Sequence, residues 1–300
     1  MRLIIAGPTA SGKTNLSLKL AEVLKCPIIS ADSRQCYRYM NIGTGKVTKI
    51  EMQKIPHFNI SIFDPDEKDT AAAFSKRCRQ WEAEVIQKSP HVIYAGGSTL
   101  YLEALLRPLD NMPDSSSANL QKLEKLENEK GQDHLLEMLS DADPAYIGKM
   151  DGYNRQRIYR ALDIWMQTGK PFSSFHTSWQ KDIPSDTLVF GINHTRETLF
   201  ERINNRVDTM IESGLLNEVQ EIIDMGFKPD AHALQTVGYR EVISYFNREI
   251  TFDEMVTKIK TNSRRYAKRQ LTWFRRWNFL QWLEPDKAVS KICSQLAVNE

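Results

Sequence analysis

Lys13 and Thr14 close the run Gly7-Pro8-Thr9-Ala10-Ser11-Gly12-Lys13-Thr14, which fits the pattern G-x-x-x-x-G-K-[ST]. Glycines at those places let backbone N–H groups turn inward, and a helix start just beyond them favours an anion. The lysine can reach a phosphoryl oxygen, and the Thr14 hydroxyl suits Mg²⁺, the one cofactor expected. The motif calls for a diphosphate or polyphosphate without saying which, so ATP remains open. Asp32 is the other well-placed group. It ends the apolar run Pro27-Ile28-Ile29-Ser30-Ala31. That puts it across the strand ends from the phosphate loop, where a general base would face the phosphate group. Asp32-Ser33 is also good capping chemistry for a following turn, and the two roles are compatible. Arg202 and Arg206, four residues apart, are neighbours on a helix surface and can clamp a diphosphate. Spacing alone fits a surface pair bridging to acids equally well.

These groups need a scaffold that brings strand ends together. Met1 to Ala6 is an apolar run of strand length. Leu16, Leu20 and Val23 follow at helical spacing. Phe58 to Phe63 alternates less regularly. Phe74, Cys78, Trp81 and Val85 form a core-facing helical stripe. His91 to Ala95 is a buried strand leading into Gly96-Gly97-Ser98. Such alternation predicts an α/β fold, a P-loop core whose parallel sheet is flanked by helices, with ligands at the carboxyl ends of the strands. Composition changes at Asn111-Met112-Pro113-Asp114-Ser115-Ser116-Ser117. From there to about Asp186 the patterns are helical, including a stripe of Ile158, Ala161, Leu162 and Trp165 stopped by Gly169 and Pro171. A linker rich in Ser, Trp and Pro ends at Pro184-Ser185, and Thr187 to Ile192 reads as strand again. Leu199, Ile203, Val207 and Ile211 make a helical apolar face. The expected organisation is a core over 1–112 and 187–300, with a helical insertion over 113–186.

Of the 300 residues, 41% are hydrophobic and 26% charged, as in a globular protein without membrane spans. Residues 1–6 read as strand rather than signal peptide. Cys26, Cys36, Cys78 and Cys293 form no C-x-x-C pair and read as reduced thiols of a cytoplasmic protein. The six histidines lack zinc spacing, so no structural metal is expected. Net charge is only +2, but Met255 to Arg276 carries eight basic residues and no acidic one. Tyr266, Gln270, Trp273 and Trp277 share one face at core spacing, which leaves the basic residues on the other sides. A solvated basic face is the plain reading. A polyanionic partner, nucleic acid in particular, explains the imbalance better.

The strand ending in Gly96-Gly97-Ser98 lacks the terminal Asp of a Walker-B element, and no N-K-x-D element serves a guanine base. Both absences argue against a hydrolytic motor or switch. At this point Gly7 to Thr14 and Asp32-Ser33-Arg34-Gln35-Cys36-Tyr37 resemble the bacterial tRNA dimethylallyltransferase family. So do Met40-Asn41-Ile42-Gly43-Thr44, Pro56-His57, Ala95 to Tyr101, and Gln156-Arg157 with Arg160. Arg202-Ile203 with Arg206-Val207, Gly238-Tyr239-Arg240-Glu241 and Ala267 to Phe274 complete the series in family order. The resemblance implies transfer of a dimethylallyl group from dimethylallyl diphosphate to N6 of adenine 37, beside the tRNA anticodon. It implies Asp32 as base, with Lys13, Ser98 and Arg206 on the diphosphate. The flipped base would meet Gln35 with Asp32, Ser33, Arg34 and Ser98. Gln156, Arg157, Arg160, Lys268, Arg269 and Gln270 would grip the RNA. No membrane is implied, and a monomer is expected. The chain departs from the family pattern at Thr99, where a glycine is usual, and at Gly43-Thr44-Gly45-Lys46-Val47 in place of G-T-A-K-P. Thr99 is expected to narrow the pocket.

Two rivals remain. A small-molecule or nucleotide kinase would share the P-loop, Asp32 and Mg²⁺, but needs neither the basic C-terminal helix nor an arginine-bearing insertion. A non-catalytic RNA-binding module would need no Lys13-Thr14 facing Asp32.

Overall fold

The computed structural model describes residues 1–107, 109–110, 112–150, 152–176 and 182–297. Asn111 of the first linker and residues 177–181 of the second, including Ser178 and Trp179, lie outside the described residues. The chain divides into two compact units, Met1–Leu106 with Ile183–Glu300, and Arg107–Asp182. The inserted unit thus starts at Arg107 rather than 113 and ends at Asp182 rather than 186. Burial sets those bounds: Leu106 still belongs to the core of the first unit, and Ile183 packs back against the same cluster.

In the first unit the strands are β1 (Arg2–Ala6), β2 (Ile28–Ser30), β3 (His57–Phe58), β4 (Val92–Gly96), β5 (Thr187–Ile192) and β6 (Leu280–Leu283). They form one sheet in the order β3-β2-β4-β1-β5-β6, and every pairing is parallel. Both faces are covered, which is why the strands read as unbroken apolar runs. Ile4, Ile29 and Tyr94 face one core with Phe74 and Phe274, while Leu3, Ile5, Ile28 and Ile93 face another with Leu16 and Leu20. The less regular stretch after β3 has a cause. Asn59 and Ser61 take φ of 62° and 53°, left-handed values that end a strand after two residues.

Helices α1 (Lys13–Leu24), α2 (Lys49–Lys54), α3 (Ala71–Ile86) and α4 (Thr99–Leu106) belong to the first half of this unit. On α1, Leu16 and Leu20 are buried as expected, but Val23 is 58% exposed and Ala21 takes the inward place. The stripe of Phe74, Cys78 and Val85 on α3 is buried, with Trp81 packed against it. The second unit holds α5 (Ser117–Lys130), α6 (Gln132–Ala142), the short α7 (Pro144–Ile147) and α8 (Arg155–Thr168). Leu123, Leu135, Leu139, Ile158 and Leu162 form its core, while Trp165, counted in the stripe, points outward. Gly169, at φ 68°, caps α8.

The first unit resumes after β5 with α9 (Arg196–Glu212), α10 (Leu215–Asp224), α11 (Tyr239–Phe246), α12 (Phe252–Phe274) and α13 (Ala288–Ala297). Val207, Val219, Val242 and Met255 pack α9 to α12 together with Cys36, Tyr37 and Met40 from the stretch after β2, while Ile292 of α13 joins the core of Leu16 and Leu20. The segment that follows Asp32 is therefore held by the helices that carry Arg206 and Gln270. No helix among the described residues is long and apolar enough to cross a membrane.

Candidate active site

The sheet aligns three strand ends. Ala6 is opposite Gly96, and Ser30 is opposite Ala95. The phosphate loop, Asp32 and Gly97-Ser98 therefore leave neighbouring strands side by side. Gly96 has to be glycine because a Cβ there would collide with the Ala31 backbone. This close approach occupies the place where a Walker-B carboxylate would emerge. A cavity of about 230 Å³ opens above these ends, lined by Thr9, Lys13, Thr14, Asp32, Gln35 and Arg206 among others.

The loop is braced from behind. The Arg202 guanidinium donates to the Ala10 carbonyl at 2.8 Å, and His194 Nε2 is 2.9 Å from the Ser11 carbonyl. The Ser11 hydroxyl is buried without a hydrogen-bond partner. The Lys13 ammonium donates to the Pro8 carbonyl at 2.5 Å. Burial pulls its pKa down to about 7; the Arg206 charge adds to the fall and the Asp32 carboxylate opposes it. Burial also holds Arg206 below its ordinary value. Arg206 thus faces the cavity and donates to the Thr44 carbonyl at 2.9 Å. Arg202 does not line that cavity; it braces the loop and, with Arg206, Lys13 and Thr14, lines a second, open pocket beside it.

Asp32 does cap its turn: one carboxylate oxygen accepts the Arg34 N–H at 2.8 Å, leaving the other to the cavity. Ser98 needs correction as a diphosphate donor. Its hydroxyl accepts the Ser33 N–H at 2.8 Å and donates to the Ser33 hydroxyl at 3.1 Å. It fixes the Asp32-Ser33 turn instead. Thr99 is the first residue of α4 and does not line the cavity, so it does not narrow it. Gln35 accepts from the Ser30 hydroxyl at 3.1 Å and donates to the Gly45 carbonyl at 3.2 Å. Its amide is set beside Asp32.

Gln270 stands apart from its basic neighbours. It is buried, accepts the Thr9 N–H at 3.0 Å and donates to the Gly97 carbonyl at 2.8 Å. It ties α12 to the phosphate loop, at the edge of the cavity it also lines, and not on the exposed basic face. Tyr266, counted in the core face, is 37% exposed and lines the cavity. Its hydroxyl is pushed up to about 12 by burial and by Asp32. The true core face of α12 is Met255, Ile259, Ala267, Gln270 and Phe274. Lys258, Arg265, Lys268, Arg269, Arg275 and Arg276 are exposed. Lys260 pairs with Asp208 at 2.6 Å, and Arg264 donates to Asn204 at 2.7 Å.

On α8, Gln156 and Arg157 are exposed. Arg160 is not free: it donates to the Pro113 carbonyl at 2.7 Å and pairs with buried Asp163 at 3.3 Å. Arg155 is spent on Glu127 at 2.6 Å and Glu124 at 3.1 Å.

One residue at this site escaped the sequence reading. Glu218 accepts three backbone N–H groups of Asn41, Ile42 and Gly43, at 2.8, 2.7 and 3.1 Å. The available signal was an acid inside the apolar stripe Leu215, Val219 and Ile222 of α10.

A phosphate loop, a carboxylate and a half-buried arginine around one cavity on a parallel sheet define a P-loop transferase type of site. The family model for IPP transferase matches residues 35–277, and the chain belongs to that family. A tRNA dimethylallyltransferase of Alkaliphilus metalliredigens is 40% identical over 99% of this chain and 96% of its own. The crystal structure of a tRNA delta(2)-isopentenylpyrophosphate transferase from Staphylococcus epidermidis is 36% identical, with a TM-score of 0.72. It covers 100% of this chain and 99% of its own. A eukaryotic dimethylallyltransferase acting on tRNA aligns with a TM-score of 0.79 at 26% identity. That match covers 99% of this chain and 77% of the other.

Proposed function

We propose that this protein transfers a dimethylallyl group from dimethylallyl diphosphate to N6 of adenine 37 in tRNA. The observation that carries this reading is Asp32 lining one cavity with Lys13 and Arg206. The exocyclic amine of adenine is a poor nucleophile, because its lone pair is delocalised into the ring. In the reaction the N6–C1 bond forms, the allylic C1–O bond breaks, and diphosphate leaves with the electron pair. The amine proton passes to the Asp32 carboxylate. Charge builds on the leaving diphosphate, where Lys13, Arg206 and the loop N–H groups are aimed. Gln35, its amide fixed by Ser30 and Gly45, holds the extruded base beside Asp32.

The residues present fit a Mg²⁺. Thr14 lines the cavity, its hydroxyl makes no hydrogen bond among the described residues, and a hard-oxygen set completed by diphosphate and water is usual for this ion. Bound there, it would supply charge neutralisation to the diphosphate. No cluster of three or more His, Cys, Asp or Glu side chains suited to a metal occurs among the described residues. The exposed cations of α12 supply phosphate contacts for RNA. Three buried thiols, all unpaired, fit a reducing compartment, and we place the enzyme in the cytoplasm.

Mass spectrometry of tRNA incubated with the protein and dimethylallyl diphosphate tests the proposal. A mass gain of one dimethylallyl group at adenine 37 is expected. Unmodified tRNA, with phosphoryl transfer to a small-molecule acceptor when ATP and that acceptor are supplied instead, would replace this reading with the kinase one. RNA binding with no chemistry would leave only a binding module.

A further inference from the structure

The turn after Met40 is held by one side chain. Glu218 is 7% exposed and comes from α10. Besides the three N–H groups of Asn41, Ile42 and Gly43, it accepts the Tyr239 hydroxyl at 2.6 Å. Four donors therefore converge on one carboxylate, and charge-assisted bonds of this kind are about twice as strong as neutral ones. Tyr239 is fully buried, and a Cβ on Gly43 would collide with its ring. Burial and the neighbouring carboxylate raise the tyrosine's pKa well above its ordinary value, so it stays a donor. Neither Glu218 nor Tyr239 lines the cavity.

The far side of the same turn does face it. The Thr44 carbonyl takes the Arg206 guanidinium at 2.9 Å, and the Gly45 carbonyl takes the Gln35 amide at 3.2 Å. A Cβ on Gly45 would collide with the guanidinium, so the backbone itself is the seat of Arg206. The Thr44 hydroxyl donates back to the Met40 carbonyl at 2.7 Å, and the Lys46 N–H to the Asn41 carbonyl at 2.9 Å. The turn is a rigid piece clamped at one end and bearing two site residues at the other.

We propose that Glu218, with Tyr239, is a positioning residue that sets the Arg206 guanidinium and the Gln35 amide through the Asn41–Gly45 turn. This rests on the prenyl-transfer reading for its rate effect, and on the phosphate loop alone for its binding effect. Glutamine at 218 keeps the shape but turns an N–H₂ group toward backbone N–H donors, so the turn must shift. Small displacements of groups aimed at developing charge cost rate steeply, about 10²-fold for about 1 Å.

The test measures binding of inorganic diphosphate by calorimetry and single-turnover dimethylallyl transfer, with thermal melting to confirm folding. Folded Glu218→Gln should bind diphosphate about tenfold more weakly and react about 10- to 100-fold more slowly. Its tRNA affinity should stay within about threefold. Combined with Arg206→Lys, it should weaken diphosphate binding little more than the stronger single change, because in that step both act through one guanidinium. A folded Glu218→Gln protein with diphosphate affinity and rate within about twofold of wild type would overturn the proposal. So would losses of diphosphate affinity that multiply fully with those of Arg206→Lys. If Glu218→Gln does not fold, Tyr239→Phe removes one of the four bonds at constant volume. It should cost about threefold in diphosphate binding, and no loss would overturn the proposal. Wild-type protein that binds diphosphate yet transfers nothing would defeat the prenyl-transfer reading, and the diphosphate arm would then decide the clamp by itself.

Discussion

Lys13 and Arg206 are half-buried cations at the floor of a cavity, whereas Lys268 and Arg269 are exposed cations on a helix surface. The same charge does different things in the two places. A half-buried cation acts in a lowered local dielectric on one or two nearby charges, and it is costly to keep ionised. An exposed one is screened within about 10 Å at 0.1 M salt, and it matters by adding to a field. The floor should therefore control rate, and the helix face should control how binding responds to salt. Experiments that mix the two signatures would break this division.

The largest effect belongs to the carboxylate that faces the cavity-floor cations. Asp32→Asn keeps an acceptor for the Arg34 N–H, so the turn survives. It removes the proton acceptor, and single-turnover transfer should fall about 10²–10⁴-fold. Affinity for tRNA should stay within about tenfold. Rates within a few-fold of wild type would remove Asp32 from its role. Next come Lys13→Ala and Arg206→Ala, each expected to lower the rate about 10²–10³-fold. Lys13→Ala should weaken donor binding as well. The double variant should be less impaired than the product of the two, since both act on one leaving group. Strict additivity, read from the same single-turnover rates, would mean that Arg206 serves only its own helix.

The cost of burial should show in pH. Lys13 in the folded protein has a pKa of about 7, below its unfolded value of 10.5. Between those values the unfolded chain binds more protons at this site, so its contribution to stability rises with pH. The folded cation is lost over the same window. Binding of inorganic diphosphate to free enzyme should therefore weaken above pH 7. The ligand's own ionisation is common to all variants, so Lys13→Arg serves as the reference and should lack this component. Parallel profiles for the two proteins, measured by calorimetry from pH 6 to 9, would show that Lys13 stays charged.

Much of the cavity floor was legible because local chemistry and strand order coincide there. Gly7 to Thr14 reads as a loop by itself, and Asp32 ends an apolar run. What escaped depends on long-range partners. Gln270 sits among lysines and arginines, and only the fold shows its amide bonded to Thr9 and Gly97. Ser98 carries the expected hydroxyl, but the close packing of two strand ends turns it onto Ser33. Glu218 is visible as an acid in an apolar stripe, yet its backbone partners lie about 175 residues away. The strand β6, Leu280–Leu283, is too short to stand out and exists because β5 offers it an edge.

On the exposed side, Lys268→Ala with Arg269→Ala should flatten the dependence of tRNA binding on salt. Each phosphate contact contributes a slope of about 0.9, so the loss should be about one to two units. Different tRNA sequences should respond alike, because phosphate contacts position RNA without reading bases. Filter binding from low to moderate salt measures it. An unchanged slope would make α12 a solvated face and move the RNA site elsewhere.

The smallest effect separates two arginines of α8 that look alike in sequence. Arg157 is exposed and, among the described residues, makes no side-chain hydrogen bond or ion pair. Arg160 spends its guanidinium on Asp163, Ser115 and the Pro113 carbonyl. If charge alone mattered, the two alanine variants would weaken tRNA binding equally. The bonding pattern says otherwise. Arg157→Ala should lower the salt slope by up to about one unit and leave the melting temperature unchanged. Arg160→Ala should leave the slope within error and lower stability by about 1 kcal/mol, a modest figure because the guanidinium is partly exposed. Melting curves and salt titrations on both variants read the contrast directly. A slope that drops equally for both would show that Arg160 leaves Asp163 to meet phosphate, and that a partnered arginine is still available to RNA.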